Sequence, residues 1–287
     1  MRIAELYARS RPAISFEFFP PKTDAGYQGL YTTIADLKQL APSFVSVTWG
    51  AGGSTRRKTA DLVVQIQREL GITAMAHMTC VGSPAEQLGE TLERLAREGL
   101  ENVLALRGDP PRDEPGFAPV PGGFAHASEL VEFIRARFGF CIGGACYPET
   151  HPEAPSAEAD LSNLLRKVEA GAEFLISQLF FDADAFFAFE RRARRAGIDV
   201  PIVPGIMPVT SAQNARRMAT LCGARIPDEL EAALAAAADD EARTLEIGVA
   251  WAAEQCRKLL DAGAPGLHFY TLNKSPATRR VHQRLFA

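Results

Sequence analysis

The chain has 287 residues, of which 47% are hydrophobic and 23% are charged, and its formal net charge is −4. This composition is ordinary for a globular protein with a large core, and the charge gives no electrostatic reason to expect nucleic acid as a partner. The five cysteines show no C-x-x-C spacing, which indicates reduced thiols. We find neither a signal peptide nor an apolar segment long enough to span a membrane, so we expect a cytoplasmic protein.

Short apolar segments alternate with amphipathic segments along the chain. The apolar segments predict strands at 13–18, 44–48, 74–78, 102–106, 141–145, 174–178, 202–205 and 266–270. Apolar residues at helical spacing predict helices at 27–40, 59–70, 84–98, 128–138, 158–170, 183–196, 211–221, 228–237 and 240–262. Parallel strands need such crossovers and eight of them can close into a ring. We therefore predict an α/β fold, a single-domain (β/α)8 TIM barrel over residues 1–287.

Polar or ionisable residues follow the apolar part of several predicted strands, namely Glu17, Thr48, His77, Asp109 and Gln178. Such groups are costly to bury unless they are paired or used. The carboxyl ends of the strands meet at one face of a barrel, where barrel enzymes have their active sites. The pattern therefore predicts an active site on that face.

Glu17 is the strongest candidate among these residues. It lies between Phe16 and Phe18, and neighbouring side chains of a strand point to opposite faces. In a barrel covered by helices, Glu17 would project into the lumen. A buried structural ion pair is the alternative interpretation. Because burial favours the uncharged carboxyl group, which suits a general acid, we prefer the acid.

The other candidates allow ordinary structural interpretations as well. Asp109 could be a turn or cap residue, and His77 a core histidine; no second His or Cys stands at metal-ligand spacing from His77, so we expect no metal site. The glycine-rich segment 50–55 could cradle phosphate or form a tight turn. The segment 110–123, rich in proline and glycine, could be a mobile lid or an insertion.

Eight segments together resemble the methylenetetrahydrofolate reductase family in its short bacterial form. They follow the order of the family: 15–22 (SFEFFPPK), 44–51 (FVSVTWGA), 77–80 (HMTC), 105–109 (ALRGD), 147–154 (YPETHPEA), 178–182 (QLFFD), 204–209 (PGIMPV) and 268–273 (HFYTLN). The resemblance implies a flavoprotein barrel that reduces 5,10-methylenetetrahydrofolate to 5-methyltetrahydrofolate. It further implies non-covalent FAD, NAD(P)H as the electron donor, ping-pong kinetics and a supply of methyl groups for methionine synthesis.

The same resemblance sets expectations for partners and extent. It implies small-molecule substrates and a homo-oligomer, with no nucleic acid and no membrane. The chain ends soon after the eighth predicted strand. We therefore expect no regulatory domain and no inhibition by S-adenosylmethionine.

The resemblance also assigns roles to residues. It makes Glu17 the acid that protonates N10 of the folate, which opens the ring to a 5-iminium cation. Asp109 would bind the pterin, favour that cation electrostatically and tune the flavin potential. Gln178 would contact folate and nicotinamide alternately, and Lys274 would meet a folate carboxylate. The FAD contacts carried over are Thr48, Trp49, Ala51, His77, Arg107, Gly108, Asp109, Ala127, Tyr147, His151, Ala154, Asp160, Asn163, Arg166 and Lys167.

Three positions depart from the commonest family pattern. Trp49 stands where many members have Tyr, His126 where a Tyr is common, and Ala212 in a region where some members have a mobile Phe. Two other functions remain open. A non-catalytic folate- or flavin-binding subunit is one of them, although the retained Glu17, Asp109 and Gln178 argue against it. Another flavin barrel, such as a proline dehydrogenase, is the second.

Overall fold

The computed structural model describes residues 1–9, 12–21, 23–49, 53–109, 118–237 and 240–286. Within these ranges one sheet contains nine parallel strands: β1 (Ala13–Phe18), β2 (Phe44–Val47), β3 (Ala74–Thr79), β4 (Asn102–Leu106), β5 (Cys141–Cys146), β6 (Phe174–Ser177), β7 (Ile202–Val203), β8 (Gly205–Ile206) and β9 (Gly266–Tyr270). Each predicted strand is present, with ends shifted by a residue or so. The prediction at 202–205 differs, since this segment forms two short strands.

The split between β7 and β8 is the place where the barrel closes. β7 pairs with β6, whereas β8 pairs with β9, and β9 in turn pairs with β1. Pro204 lies between the two short strands and has no N–H to donate, so it interrupts the ladder. Its carbonyl oxygen still accepts the backbone N–H of His268 at 3.0 Å. β7 and β8 therefore act as one broken strand, and the predicted (β/α)8 barrel is confirmed.

The helices that lie between successive strands run along the outside of the barrel. The described helices are α1 (Ile3–Leu6), α2 (Asp24–Lys38), α3 (Gly53–Gln65), α4 (Ala85–Arg97), α5 (Ala127–Arg137), α6 (Ala157–Glu169), α7 (Ala183–Arg195), α8 (Ala212–Cys222), α9 (Asp228–Ala236), α10 (Glu241–Asp261) and α11 (Pro276–Phe286). A π-helical turn, Ile66–Leu70, continues α3. The predicted helices are confirmed, but α2 and α3 begin earlier than predicted. In the described ranges, no helix combines the length and apolarity that a membrane crossing requires.

The amino-terminal end of the barrel lumen is filled by apolar side chains. Ile3, Leu6 and Tyr7 pack there with Phe44 and Phe174 from β2 and β6. The Tyr7 ring lies 5.5 Å from the Phe174 ring and 6.4 Å from the Phe44 ring, measured between centroids. α1 thus plugs this end, which leaves the polar lumen positions at the carboxyl ends of the strands.

Candidate active site

Glu17 projects into the lumen near the carboxyl end of β1. It is 7% exposed, while its neighbours Phe16 and Phe18 pack outward in the core between sheet and helices, as predicted. Its Oε2 atom lies 3.4 Å from His77 Nε2 on β3 and 3.5 Å from His268 Nε2 on β9. One carboxylate oxygen is therefore placed between two imidazole rings.

The contact between Glu17 and His77 is not a charged pair at neutral pH. Burial lowers the pKa of His77 to about 4, although the nearby Glu17 opposes that shift. The His77 Nε2 atom also lacks a hydrogen-bond partner among the described residues. The two atoms are therefore 3.4 Å apart without forming a hydrogen bond. A neutral imidazole cannot supply the positive charge of a structural ion pair. The structural interpretation of Glu17 therefore cannot rest on His77 as its cationic partner.

The backbone around Glu17 is tied to the loop that follows β9. Thr271 Oγ1 donates a hydrogen bond to the carbonyl oxygen of Glu17 at 2.6 Å. The Asn273 side chain accepts the backbone N–H of Phe19 at 2.8 Å and donates to the Phe19 carbonyl oxygen at 2.9 Å. These contacts extend the pairing of β1 with β9 beyond the strands, so the end of β1 is fixed where Glu17 lies.

A second group of predicted residues lines one cavity of about 350 Å³ between β5, α6 and the ends of β4 and α5. The predicted FAD contacts found in its lining are Arg107, Ala127, Tyr147, His151, Ala154, Asp160, Asn163, Arg166 and Lys167. The structure therefore brings together residues that are up to 60 positions apart in this sequence, from 107 to 167. His126 also lines this cavity.

Lys167 reaches this cavity from α6 on the outside of the sheet. Its ammonium group donates to the carbonyl oxygen of Ala145 at 2.6 Å, and burial lowers its pKa. The lysine stem passes over Gly144, where an added Cβ would lie 2.7 Å from Lys167 Cδ. Because Gly144 has no side chain, the Lys167 side chain has room to pass over it.

The rim of the cavity is held by an ion pair and a short hydrogen-bond network. The guanidinium group of Arg107 donates to Glu153 at 2.8 Å, and this bond holds the pKa of the Glu153 carboxyl below its usual range. Asp160 accepts the backbone N–H of His151 at 2.9 Å, and the rings of Tyr147 and His151 lie 4.5 Å apart. Asp160 therefore shapes the loop that carries His151.

Asp109 and Gly108 extend the edge of β4. Asp109 is exposed, and its charge adds to burial in raising the pKa of Tyr147, a residue of the cavity lining. Gly108 has a φ of +84°, and a Cβ there would lie 3.0 Å from the side chain of Thr79. A side chain at 108 would meet both backbone strain and crowding.

Two of the predicted substrate residues, Gln178 and Lys274, are not among the residues that line this cavity. Gln178 follows β6, and its Oε1 accepts the backbone N–H of Leu179 at 2.8 Å, so the amide nitrogen is the group that it can offer to a ligand. Lys274 lines a separate cavity of about 680 Å³ together with Tyr270 and Leu272. Ala212 begins α8, beside this second cavity, whose lining includes Ser211.

The remaining predicted residues lie after β2 or outside the described residues. Thr48 continues β2, where its N–H donates to the Phe18 carbonyl oxygen at 2.9 Å. Trp49 is partly buried, and its Nε1 has no hydrogen-bond partner among the described residues. Ala51 lies outside the described residues, as do 50–52 of the glycine-rich segment and 110–117 of the proposed lid. The described residues contain no group of three or more His, Cys, Asp or Glu arranged to hold a metal ion.

Sequence reasoning missed the part that His268 and Ser15 play beside Glu17. Both are fully buried, and the register of β1 with β9 pairs Ser15 with His268 and Glu17 with Tyr270. Alternation along Gly266–Tyr270 is the signal that could have placed His268 on the lumen side. The predicted barrel implies that the first and last strands pair, but the register that places Ser15 opposite His268 could not be inferred from a local pattern.

Comparison with known proteins gives a consistent family. The family model described as methylenetetrahydrofolate reductase matches residues 2–286. Methylenetetrahydrofolate reductase (NADH) 1 of Zea mays is 42% identical over 283 residues, which are 95% of this chain and 48% of that protein. The chain thus spans about half the length of its plant relatives. The 5,10-methylenetetrahydrofolate reductase of Escherichia coli is 40% identical over 263 residues, covering 91% of this chain and 86% of that protein.

Two solved structures share the fold at low sequence identity. One is a protein from Clostridium thermocellum described as binding two copies of 5-methyl-5,6,7,8-tetrahydrofolic acid, with a TM-score of 0.66, 16% identity and coverage of 99% of this chain and 98% of that one. The other is a dihydropteroate synthase from Xanthomonas albilineans, with a TM-score of 0.53, 12% identity and coverage of 96% and 91%. The family model and the bacterial relative decide the assignment: the chain belongs to the methylenetetrahydrofolate reductase family.

Proposed function

We propose that this protein reduces 5,10-methylenetetrahydrofolate to 5-methyltetrahydrofolate, with NAD(P)H as the electron donor and non-covalent FAD between them. The observation that carries the proposal is the Glu17 carboxyl group, buried in the lumen between two imidazoles at the carboxyl ends of the strands. The names of the relatives and the folate bound by the structural neighbour from C. thermocellum support it.

The residues that line the cavity beside β5 and α6 are of the types suited to FAD. A diphosphate needs cations, and Arg107 lines this cavity together with Arg166 and Lys167 from the last turn of α6. Tyr147 and His151 add ring surfaces suited to stacking. When bound, FAD supplies the hydride that it has accepted from NAD(P)H. Lys167 would hold the anionic part, with its position fixed by the Ala145 carbonyl oxygen.

Glu17 supplies the proton in this proposal. The methylene bridge between N5 and N10 is a poor hydride acceptor until N10 is protonated and the N10–carbon bond breaks to give a 5-iminium cation. The proton leaves the Glu17 carboxyl group, which becomes a carboxylate and regains a proton from solvent before the next turnover. His77 stays neutral throughout because burial holds its pKa at about 4.

The remaining residues would bind and orient the substrates. The exposed Asp109 would favour the cationic intermediate through its negative charge. The Gln178 amide would contact folate and nicotinamide in turn, which implies that the two substrates share one site and react by a ping-pong mechanism. Lys274, in the 680 Å³ cavity, would meet a folate carboxylate. The product would supply methyl groups for methionine synthesis.

Spectroscopy of the purified protein tests the function. After addition of FAD, we expect a bound flavin spectrum that NADH or NADPH bleaches and that methylenetetrahydrofolate restores under anaerobic conditions. A protein that binds no FAD, or whose reduced flavin is not reoxidised by methylenetetrahydrofolate, contradicts the proposal. Bleaching by proline would instead indicate a different flavin barrel enzyme.

A further inference from the structure

His268 is a buried imidazole whose two nitrogens face different partners. It is 0% exposed at the centre of β9. Its Nδ1 lies 2.8 Å from Ser15 Oγ, and its Nε2 lies 3.5 Å from Glu17 Oε2. The ring therefore bridges a serine hydroxyl in the middle of β1 and the carboxyl group two residues further along the same strand.

Aromatic contacts fix the plane of this ring. The Phe44 ring stacks on it at 6.0 Å with an interplanar angle of 17°, and the Tyr270 ring meets it edge-on at 5.4 Å and 89°. Strand pairing sets the backbone, since Ser15 is directly opposite His268. Each nitrogen thus keeps its own partner, and only the position of the hydrogen on the ring can vary.

The Ser15 hydroxyl decides which nitrogen carries that hydrogen. The hydroxyl can donate either to His268 Nδ1 at 2.8 Å or to the carbonyl oxygen of Leu267 at 3.3 Å, and it meets Nδ1 as an acceptor when it donates to Leu267. Nδ1 then carries the hydrogen, and in a neutral imidazole Nε2 is left as an acceptor facing Glu17. An acceptor in that position stabilises a protonated carboxyl group, whereas an N–H would stabilise the carboxylate.

We propose that His268, anchored on Ser15 as the Nδ1–H tautomer, is a positioning residue that keeps the Glu17 carboxyl group protonated until the substrate takes the proton. The inference rests on the proposed function, because it presupposes that Glu17 is the acid. The proton passes from Glu17 to N10 of the folate, and His268 neither gains nor loses one. The 3.5 Å separation suits a contact that tightens when substrate fills the lumen.

The other groups that face Glu17 do not compete for this role. His77, from β3, is neutral near pH 7 because burial lowers its pKa to about 4, and its Nε2 lies 3.4 Å from Glu17 Oε2 without the alignment of a hydrogen bond. Tyr270, the β9 residue paired with Glu17, has its pKa raised by burial and by the Glu17 charge, and its hydroxyl donates to the Ser177 carbonyl oxygen at 2.6 Å. Ser46, opposite Glu17 on β2, does not titrate.

Two substitutions of His268 test the contributions of its two nitrogens separately. In His268→Asn the amide nitrogen can replace Nδ1 toward Ser15 but nothing reaches Glu17; in His268→Gln the amide oxygen can replace Nε2 as the acceptor. Ser15→Ala removes the anchor. Ser46→Ala is the matched control, since it deletes a buried lumen hydroxyl that has no hydrogen-bond partner among the described residues.

The experiment measures both half-reactions of the holoenzyme by stopped flow as a function of pH. For His268→Asn and Ser15→Ala, we expect the pH midpoint above which the folate half-reaction slows to fall by about one unit. Reduction by NAD(P)H should change less than about twofold. His268→Gln should recover part of the midpoint, and Ser46→Ala should keep the wild-type midpoint. A purely structural role would not move this midpoint selectively.

Nitrogen NMR of the wild-type holoenzyme gives an independent readout. We expect the His268 signals of an Nδ1–H tautomer, and an Nε2–H tautomer would overturn the inference even if a variant fails to fold. An unchanged or raised midpoint in folded His268→Asn would also overturn it. Glu17→Gln separates the two levels. If Glu17→Gln still reduces folate, the acid assignment fails. If Glu17→Gln does not reduce folate but the midpoint of His268→Asn equals that of the wild type, only the role of His268 fails.

Discussion

The ammonium group of Lys167 lies 2.6 Å from the carbonyl oxygen of Ala145, so a side chain from an outer helix reaches the carboxyl end of β5. The contact depends on Gly144, over which the lysine stem passes. Helix α6 is thereby connected to the cavity that we assign to FAD. The cationic group occupies a fixed place before any anion binds.

Lys167→Met should weaken FAD binding by roughly ten- to a hundredfold, because a charge-assisted contact contributes about 1.5–3 kcal/mol. Lys258→Met is the control, since Lys258 is an exposed residue of α10 paired with Glu254. Titration of the FAD-free protein by flavin fluorescence gives both dissociation constants. Equal affinities for the two variants would show that Lys167 does not hold FAD.

Tyr7 in the barrel plug offers a test of packing. Its hydroxyl is buried without a hydrogen-bond partner among the described residues, while its ring contacts Phe44 and Phe174. Tyr7→Phe should therefore raise the free energy of unfolding by about 1 kcal/mol. Tyr7→Ala should lower it by about 3–5 kcal/mol because it leaves a cavity. Urea unfolding measures both, and a destabilised Tyr7→Phe would mean that the hydroxyl has a partner.

Gly205 lies where the barrel closes, and a Cβ there would sit 2.2 Å from the carbonyl oxygen of Ser177 and 2.6 Å from the Tyr270 ring. Gly205→Ala should cost about 3 kcal/mol of stability or more through overpacking. Gly29→Ala, on the exposed face of α2 with nothing within 4 Å of the added atom, should stabilise by about 0.5–1 kcal/mol. Thermal unfolding compares the pair. Similar melting temperatures of the two variants would show that the space around Gly205 is not as tightly packed as these distances indicate.

The pH dependence of stability tests the burial of His77. Its pKa is about 4 in the folded protein and 6.5 in the unfolded chain. Between these values the unfolded chain binds a proton that the folded protein does not, so stability falls as the pH drops. The loss reaches about 3 kcal/mol by pH 4.

His77→Gln removes this titration. The unfolding free energy of the wild type minus that of the variant should therefore decrease as the pH falls from 7 to 4. Urea unfolding at several pH values measures the difference. A difference that does not vary with pH would mean that His77 keeps an ordinary pKa.

Much of the fold could be predicted because apolar runs and helical periodicity are local signals. Two helices were missed for local reasons as well. α1 has four residues, too few to show a period, and α11 buries only Ala277, Thr278 and Val281 among many polar residues. The division of the seventh strand at Pro204 had a signal, since proline cannot donate to a ladder.

The candidate site was predictable only in part. Alternation placed Glu17 in the lumen, because its phenylalanine neighbours had to face the helices. The contact of Glu17 with His268 depends on the pairing of the first strand with the last, across 251 residues. The predicted barrel implies this pairing, but no local pattern specifies its register. For the same reason, the cavity around Lys167 was predicted through family resemblance and not through spacing.

The central claim is that Glu17 donates the proton for folate reduction. The most direct test is stopped-flow measurement of both half-reactions in the Glu17→Gln holoenzyme. We expect FAD to bind and NAD(P)H to reduce it within a few-fold of the wild-type rate, since neither step needs this proton. Reoxidation by methylenetetrahydrofolate should slow by about a thousandfold or more. Reoxidation at a rate near that of the wild type would contradict the claim.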